Sequence, residues 1–450
     1  FIYKIICQNE RILAKNYNKI LIIFSALMLF VEIAFGIILR YDPQWDVGAV
    51  NKAAWEWADT GTFKGYFDYF YGFPNNLGAM TYLSIFLRAA KFIGITDYYT
   101  VSVVINSITI VATMALVSLV CRKLSDEKHG ILALTIFAVG VQFWFMGGAV
   151  YTDILSMVFP VLVFWLYLIS KEYEGRKRII IYILMGIAAA VGALIKITSF
   201  IMIISVVIDM CFNDDFKRNF KKILTASVCF FGITAIVFLS FNAYIYSFYL
   251  DKEITYEKSR PYSHWVMMGL NGDGAYNPDD YKFTDEISDP EERREKISEE
   301  IYDRIKERGF SGMYELFTQK TVRDLGDGTY GTADFLGINP KNDTSLHDWI
   351  LYDGKYFNKY GTYATSIHLV FIIFAAIQAY YFISSKKRKD LMPAYIGIFG
   401  LYLFLLMWES QRRYFTNFIP IILTCGVLGI DLFIDTCKRI ISALNNSFKH

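Results

Sequence analysis

The apolar residues of this chain fall into long blocks that are separated by short polar segments. The blocks run for about 17 to 23 residues, which is the length of a helix that crosses the hydrocarbon core of a bilayer. This pattern predicts an all-α polytopic membrane protein with about ten transmembrane helices. The predicted spans are 20–39, 98–120, 131–149, 154–170, 179–195, 197–212, 223–246, 364–384, 391–408 and 415–434.

The segment 77–94 is not counted among the spans. Its apolar stretch begins at Leu77 and is interrupted by Arg88 and Lys91, so we expect a helix that lies on the outer surface or inserts only in part. With this segment excluded, the clusters of Lys and Arg share one side, and the positive-inside rule assigns that side and both termini to the cytoplasm. The clusters lie at the N-terminus and at 122–128, 171–178, 217–222, 386–389 and 438–439.

Charge is strongly segregated along the chain. Residues 251–360 hold 23 acidic and 15 basic residues, whereas the whole chain has 43 and 45, so this segment carries −8 and the remainder +10. Only an extramembrane domain accommodates so many charges. We therefore predict an N-terminal membrane module at 1–246 with juxtamembrane helices at 46–94, a mixed extracytoplasmic domain at 247–363, and a C-terminal membrane module at 364–450.

Two acidic residues, Asp42 and Asp46, follow the first span directly. A carboxylate just outside a membrane helix can act as a general base or orient an acceptor hydroxyl. Apolar residues at helical spacing follow Asp46, so the same residue is also suited to cap a surface helix. The sequence leaves the catalytic and the capping interpretations of Asp46 open.

Two outward turns contain further candidates. Tyr151 and Asp153 lie in a turn between two spans that is too short to form a domain, and Asp153 is suited to cap the next helix. Lys196 interrupts two apolar spans at their outer turn. An ammonium group there can bind a lipid phosphate, although snorkelling to the interface explains it almost as well.

The last outward loop carries Glu409, Arg412, Arg413 and Tyr414. Paired arginines on the outer side depart from the positive-inside bias, and a bound anionic group accounts for them. The planar guanidinium fork matches phosphate oxygens, while a salt bridge to Glu409 is the structural alternative. Arg88 is another candidate phosphate ligand, although an amphipathic helix needs such residues in any case.

The predicted outer domain holds His264 and Trp265 beside a glycine-rich turn. His264 can contact a substrate, yet a lone histidine next to an aromatic residue is more often structural. Pro290 to Arg308 is predicted to form a helix with Asp289 as its N-cap. The six cysteines show neither a disulfide framework nor metal-ligand spacing, so a divalent metal is possible but not expected.

The order of these elements resembles the GT-C superfamily of integral-membrane glycosyltransferases. The similarity is clearest with bacterial members related to the protein O-mannosyltransferase and lipid-linked-sugar branches. The chain departs from the family pattern at Gln44, where an Asp-x-Asp motif has its first acid, and at Ile197, where relatives often have proline. The resemblance rests on Asp46 with Ala53 and Ala54, on Phe73 to Gly78, on Tyr151 to Asp153, on Lys196 to Thr198, and on Trp408, Glu409, Arg413 and Tyr414.

The resemblance implies a membrane-bound glycosyltransferase whose substrates are a polyprenyl-phosphate-linked sugar and an outer-face acceptor, which is a glycan, a glycolipid or a protein. Asp46 is then the catalytic base, supported by Asp42, in a direct displacement that inverts the donor carbon. The donor phosphate is bound by Lys196 and Arg413, with Arg412 or Arg88. The implied substrate-binding residues are Tyr151, Asp153, Glu409, Tyr414, His264 and Trp265, and no nucleic acid is involved.

Three other functions remain open from the sequence. A transporter or flippase of a lipid-linked saccharide also uses charged residues in its spans, but it predicts an internal repeat that we do not find. A non-catalytic assembly or sensor protein would use the outer domain to bind a partner. A phosphotransferase is a weaker fit, because no nucleophile stands beside a clustered His and Asp metal site.

Overall fold

The computed structural model describes residues 2–213, 216–385 and 389–447, and this part of the chain forms helices joined by turns and loops, without a strand. Within these residues, eight helices are long and apolar enough to cross a membrane. The all-α polytopic fold class is therefore confirmed. The basic residues 386–388, which the sequence assigns to a cytoplasmic loop, lie outside the described residues.

The shorter α-helices are Ile2–Gln8, Glu10–Lys15, Phe67–Gly72, Thr152–Leu155, Lys252–Lys258, Pro278–Glu286, Ala333–Leu336 and His347–Ile350. The labelled helices are α1 Tyr17–Ile38, α2 Trp45–Thr60, α3 Leu77–Phe92, α4 Tyr98–Leu124, α5 Glu127–Val139, α6 Val158–Ser170, α7 Gly175–Ile195, α8 Ile201–Asn213, α9 Phe216–Phe248, α10 Tyr262–Gly269, α11 Pro290–Leu325, α12 Phe357–Ser385, α13 Met392–Met407 and α14 Ile419–Ser447.

Two predicted spans are not regular long helices. The apolar block at 131–149 is broken after α5, where the chain bends by 69° into the 3₁₀ helix Val141–Gly148, so it makes a ninth span only if the bent pair is counted as one. The block at 197–212 forms the shorter apolar helix Ile197–Phe212. The bent segment packs with its backbone against α1, since a Cβ atom added at Gly147 would lie 2.4 Å from the carbonyl oxygen of Glu32.

Helices α2 and α3 form a packed pair beside the transmembrane bundle. Helix α3 has 16 residues and is not among the helices that are long and apolar enough to cross a membrane, as the interruption by Arg88 predicts. Its start lies directly on the end of α7, because a Cβ atom at Gly78 would approach the carbonyl oxygen of Leu194 to 1.9 Å. This contact places the Phe73 to Gly78 segment next to Lys196.

The segment 247–363, here called the outer segment after its predicted location, is organised by the long helix α11. Its predicted N-cap is confirmed, since Asp289 Oδ1 accepts hydrogen bonds from the backbone N–H of Glu291 at 3.0 Å and of Glu292 at 2.8 Å. The helix does not end at Arg308 as predicted. A kink at Gly309, where φ is 57°, redirects the helix, and its second half reaches the end of α13, where Lys320 Nζ donates to the carbonyl oxygen of Leu406.

The loops of the bundle gather at two opposite ends. At one end Lys171 pairs with Asp390 at 2.7 Å and Lys128 pairs with Asp431 at 2.9 Å, so helix ends rich in basic residues lie together. The turns that hold Tyr151 and Lys196 lie at the other ends of the same helices. That the first end faces the cytoplasm stays a prediction.

Candidate functional site

A cavity of about 870 Å³ opens at the end of the bundle that holds these turns. It is formed by the start of α2, the start of α3, the turns before α6 and α8, one face of α9, helix α10 and the loop after α13. Charged, aromatic and apolar side chains all contribute to its lining. The predicted site residues that line it are Asp46, Tyr151, Lys196, His264, Trp265, Glu409, Arg413 and Tyr414.

Asp153 holds two cationic side chains at the edge of this cavity. Its carboxylate is 1% exposed, and it binds the Lys196 ammonium through Oδ1 and Arg413 Nε through Oδ2, the latter at 3.1 Å. The N-cap position before Asp153 is Tyr151, and no side chain caps that helix. Asp153 is therefore neither a helix cap nor a residue of the cavity lining. It binds Lys196 and Arg413 on the side that faces away from the cavity.

The two cations are also held by aromatic rings. Lys196 Nζ lies 4.6 Å from the centroid of the Tyr414 ring, and the Arg413 guanidinium lies 5.4 Å from the same ring. Burial lowers the pKa of Lys196, against the attraction of Asp153. Burial also opposes the charge of Arg413, but its acidic surroundings, Asp153 first among them, outweigh burial and raise its pKa. The cavity thus presents two fixed, partly desolvated positive charges.

Asp46 lies in the first turn of α2 with its side chain directed into the cavity. The N-cap of α2 is Gln44, and the helix has no side-chain cap, so Asp46 does not perform the capping role that the sequence allowed. The hydroxyl of Tyr69 donates a hydrogen bond to Asp46 Oδ1 at 2.9 Å, and Asn76 Nδ2 donates to that hydroxyl at 2.6 Å. Trp45 adopts a left-handed backbone with φ 49°, which is rare for a bulky residue.

Glu409 is a second carboxyl group in the cavity. It is buried, it accepts a hydrogen bond from Gln411 Nε2 at 2.8 Å, and it lies 3.5 Å from the Tyr414 hydroxyl. Burial raises its pKa, while Gln411 and Arg413 oppose the rise. Glu409 therefore presents a buried carboxyl group that can form a hydrogen bond with a ligand hydroxyl.

His264 and Trp265 form the side of the cavity next to the outer segment. His264 is buried with Nδ1 2.7 Å from the Thr284 hydroxyl, and burial lowers its pKa to about 4, with Arg260 adding to the effect. The Trp265 ring stacks on Trp408 at 5.4 Å with an interplanar angle of 13°. Both residues line the cavity, and His264 is neutral near pH 7. That they bind a substrate stays a prediction.

Three predicted site residues lie elsewhere. Asp42 is bound by Lys52 Nζ at 2.9 Å, outside the cavity lining. Arg412 turns away from Arg413 and lines a separate polar groove, where its guanidinium is 3.2 Å from the Tyr352 hydroxyl. Arg88 is exposed on α3 and does not line the cavity.

Sequence reasoning missed the partners that hold Asp46. Tyr69 is one of several aromatic residues between Phe63 and Phe73 and is not marked by any motif, and Asn76 belongs to the Phe73 to Gly78 segment. The two successive asparagines directly before α3, Asn75 and Asn76, are the one feature of the sequence that indicated a polar contact at the start of this helix. The spacing of these residues in sequence contains no information on which hydroxyl reaches Asp46.

Within the described residues, no group of three or more His, Cys, Asp or Glu side chains is placed to hold a metal ion. The Asp153 carboxylate, which is the most buried acid at the cavity, is already neutralised by Lys196 and Arg413. That the protein works without a resident divalent metal stays a prediction.

The fold and the cavity define a polytopic integral membrane protein with a charged pocket at one end of its helix bundle. The chain belongs to the family described as conserved hypothetical integral membrane protein, which it matches over residues 2–433. No curated protein matches it.

The solved structures that resemble the chain include those of an archaeal oligosaccharyltransferase from Archaeoglobus fulgidus. The structure of that enzyme, AglB, with an inhibitory peptide and a dolichol-phosphate shares 14% identity at a TM-score of 0.49, and covers 94% of this chain and 52% of its own. An apo structure shares 14% identity at 0.46, with 94% and 52% covered. A structure tethered to an acceptor peptide with the NVT sequon shares 13% at 0.46, with 94% and 51% covered. This chain spans about half the length of these structures.

Proposed function

We propose that this protein is a glycosyltransferase of the GT-C type that moves a sugar from a polyprenyl-phosphate carrier to a hydroxyl of an extracytoplasmic acceptor. One observation carries the proposal. Asp46, in the first turn of α2, lines the same cavity as Lys196 and Arg413, the two cations that Asp153 holds in place. A base and a fixed anion site in one pocket are the two requirements of transfer from a phosphate leaving group.

In this proposal the acceptor hydroxyl gives its proton to the Asp46 carboxylate as its oxygen forms a bond to the anomeric carbon of the donor. The bond from that carbon to the phosphate oxygen breaks, and its electron pair stays on the phosphate. The lipid phosphate gains one negative charge in the step. Lys196 and Arg413 stabilise that charge without moving, because Asp153 and the Tyr414 ring already position them.

The apolar part of the cavity suits the lipid chain of the donor. Phe238 and Phe241 of α9 line it together with Phe404 and Leu405 of α13. Both helices are transmembrane candidates, so a carrier can keep its isoprenoid chain in the bilayer while its phosphate reaches Lys196. Glu409 and Gln411 also line the cavity and are proposed to bind sugar hydroxyls.

The decisive experiment compares Asp46→Asn with Asp42→Asn in purified protein. The assay follows release of polyprenyl phosphate by mass spectrometry from a panel of polyprenyl-phosphate hexoses, with outer-surface glycan as acceptor. We expect Asp46→Asn to abolish transfer and Asp42→Asn to retain most of it, because only the first carboxylate lines the cavity. Both variants should melt like the wild type, and full activity in a folded Asp46→Asn variant would refute the assignment of the base.

A further inference from the structure

A lysine from the outer segment is buried beneath the loop that carries Glu409. Lys320 of α11 is 0% exposed, and its ammonium donates hydrogen bonds to three backbone carbonyl oxygens. These belong to Gly269 at 3.1 Å, to Leu406 at 2.8 Å and to Trp408. One side chain therefore ties the end of α10 to the end of α13, the two elements whose tryptophans stack at the cavity.

Asp324, one turn further along α11, holds the same loop on its other side. Its Oδ1 accepts a hydrogen bond from the Ser410 hydroxyl at 2.7 Å, and the backbone N–H of Gln411 also donates to the carboxylate. Ser410 stands between Glu409 and Gln411. The backbone of the loop is thus bound on both sides of Glu409 by residues four apart on one helix face.

A charged lysine is costly to bury, and hydrogen bonds to three carbonyl oxygens use all the donors it has. The backbone N–H of Trp408 still donates to the carbonyl oxygen of Phe404, but that of Ser410 donates outside the loop, to the carbonyl oxygen of Gly274 at 2.8 Å. The shape of the loop around Glu409 therefore depends on partners outside it.

We propose that Lys320 and Asp324 are positioning residues that set the placement of Glu409 and Arg413 in the cavity, so that the outer segment controls the geometry of the site. This inference rests on the glycosyl transfer proposed above. Neither residue lines the cavity, and both act through the loop at 406–411.

The arrangement makes the loop sensitive to pH. Burial lowers the pKa of Lys320 to about 8, against the charges of Asp324 and Glu409, while Arg323 and Arg308 add to the lowering. Burial raises the pKa of Asp324 to about 7, opposed by Ser410, Lys320, Arg323 and the Gln411 backbone. Above pH 8 a neutral Lys320 has two donors for three carbonyl oxygens. Transfer should therefore fall on the alkaline side as the loop loses one of its bonds.

The first test is the pH profile of transfer in Asp324→Asn. The amide oxygen still accepts from Ser410, but the negative charge that favours protonated Lys320 is lost, so the alkaline limb should move to lower pH by roughly one unit. Glu315→Gln is the matched control, because Glu315 is exposed on the same helix. An unshifted limb in Asp324→Asn would overturn the proposal.

The second test does not depend on activity. Hydrogen exchange of the 406–411 peptide at pH 7 should rise at least about tenfold in Lys320→Met and should not change in Glu315→Gln. Protection equal to that of the wild type would show that Lys320 does not hold the loop. If the wild type transfers no sugar but exchange rises in Lys320→Met, the proposed function fails and the loop contact stands.

Discussion

Asp153 accepts a hydrogen bond from Arg413 Nε at 3.1 Å, across a sequence separation of 260 residues. The second carboxylate oxygen of Asp153 binds Lys196. The carboxylate therefore neutralises one unit of charge and leaves the pair with an excess of one positive charge toward the cavity. Because Asp153 already holds Lys196 and Arg413 side by side, a phosphate can bind both without the free-energy cost of bringing two like charges together.

The two neighbouring arginines should behave differently. Arg413→Ala removes a partly buried cation of the cavity and is expected to raise the donor KM by roughly 10- to 100-fold, the range for loss of a charged hydrogen bond. Arg412→Ala removes a half-exposed side chain of the separate groove and should change that KM by less than about twofold. Donor titration in a transfer assay measures both, and equal effects would contradict the assignment of Arg413.

Gly78 should tolerate no side chain. A Cβ atom there would lie 1.9 Å from the carbonyl oxygen of Leu194, so Gly78→Ala must separate α3 from α7 and is expected to lower the melting temperature by about 5 °C. Gly232→Ala in α9 is the matched control, since no atom lies within 4 Å of the added Cβ. Thermal unfolding in detergent distinguishes them, and a neutral Gly78→Ala would show that the contact is loose.

His264 should make folding stability depend on pH below neutrality. The pKa of His264 in the folded protein is about 4, below the ordinary 6.5, because the folded state resists its protonation. Its contribution to the free energy of unfolding is therefore fully present above pH 6.5 and is lost as the pH falls toward 4. The loss is on the order of 3 kcal/mol. His264→Gln should show a smaller drop in melting temperature between pH 7 and 4.5 than the wild type, and His347→Gln should show the full drop.

The sidedness of the membrane protein can be tested at Ser125, which follows α4 at the end of the bundle remote from the cavity. A single cysteine at this position, in a chain with its six native cysteines replaced, should react with an impermeant maleimide only after the membrane is opened. A cysteine at Asp343 in the outer segment should react in intact cells. The reverse pattern would invert the predicted orientation.

Much of the fold can be predicted from the sequence. The apolar blocks predict most of the spans because a bilayer demands a continuous run of apolar residues, and Asp289 with Pro290 predicts the start of α11. The interruption of the 77–94 block by Arg88 correctly predicts a helix that is too short to span. The break after α5 is less predictable, since it follows from backbone packing of Gly147 against α1 rather than from polarity.

The candidate site is only partly predictable. Asp46, Lys196 and Arg413 stand out in sequence because charged residues are costly beside apolar spans. The role of Asp153 does not stand out, because an aspartate in this turn suits a helix cap and an anchor for two cations equally well. Lys320 lies in a helix with many charged residues, where nothing marks one lysine as buried.

The sequence by itself determined the class of the protein, the approximate spans and the set of polar residues at their ends, because these follow from local runs of apolar and charged residues. Only the tertiary structure decided that Arg413 and not Arg412 enters the cavity, that Asp42 is bound by Lys52 outside it, and that Lys320 holds the loop of Glu409. The reason is physical: the direction of a loop side chain is set by contacts with residues far away in sequence, and no local pattern contains them.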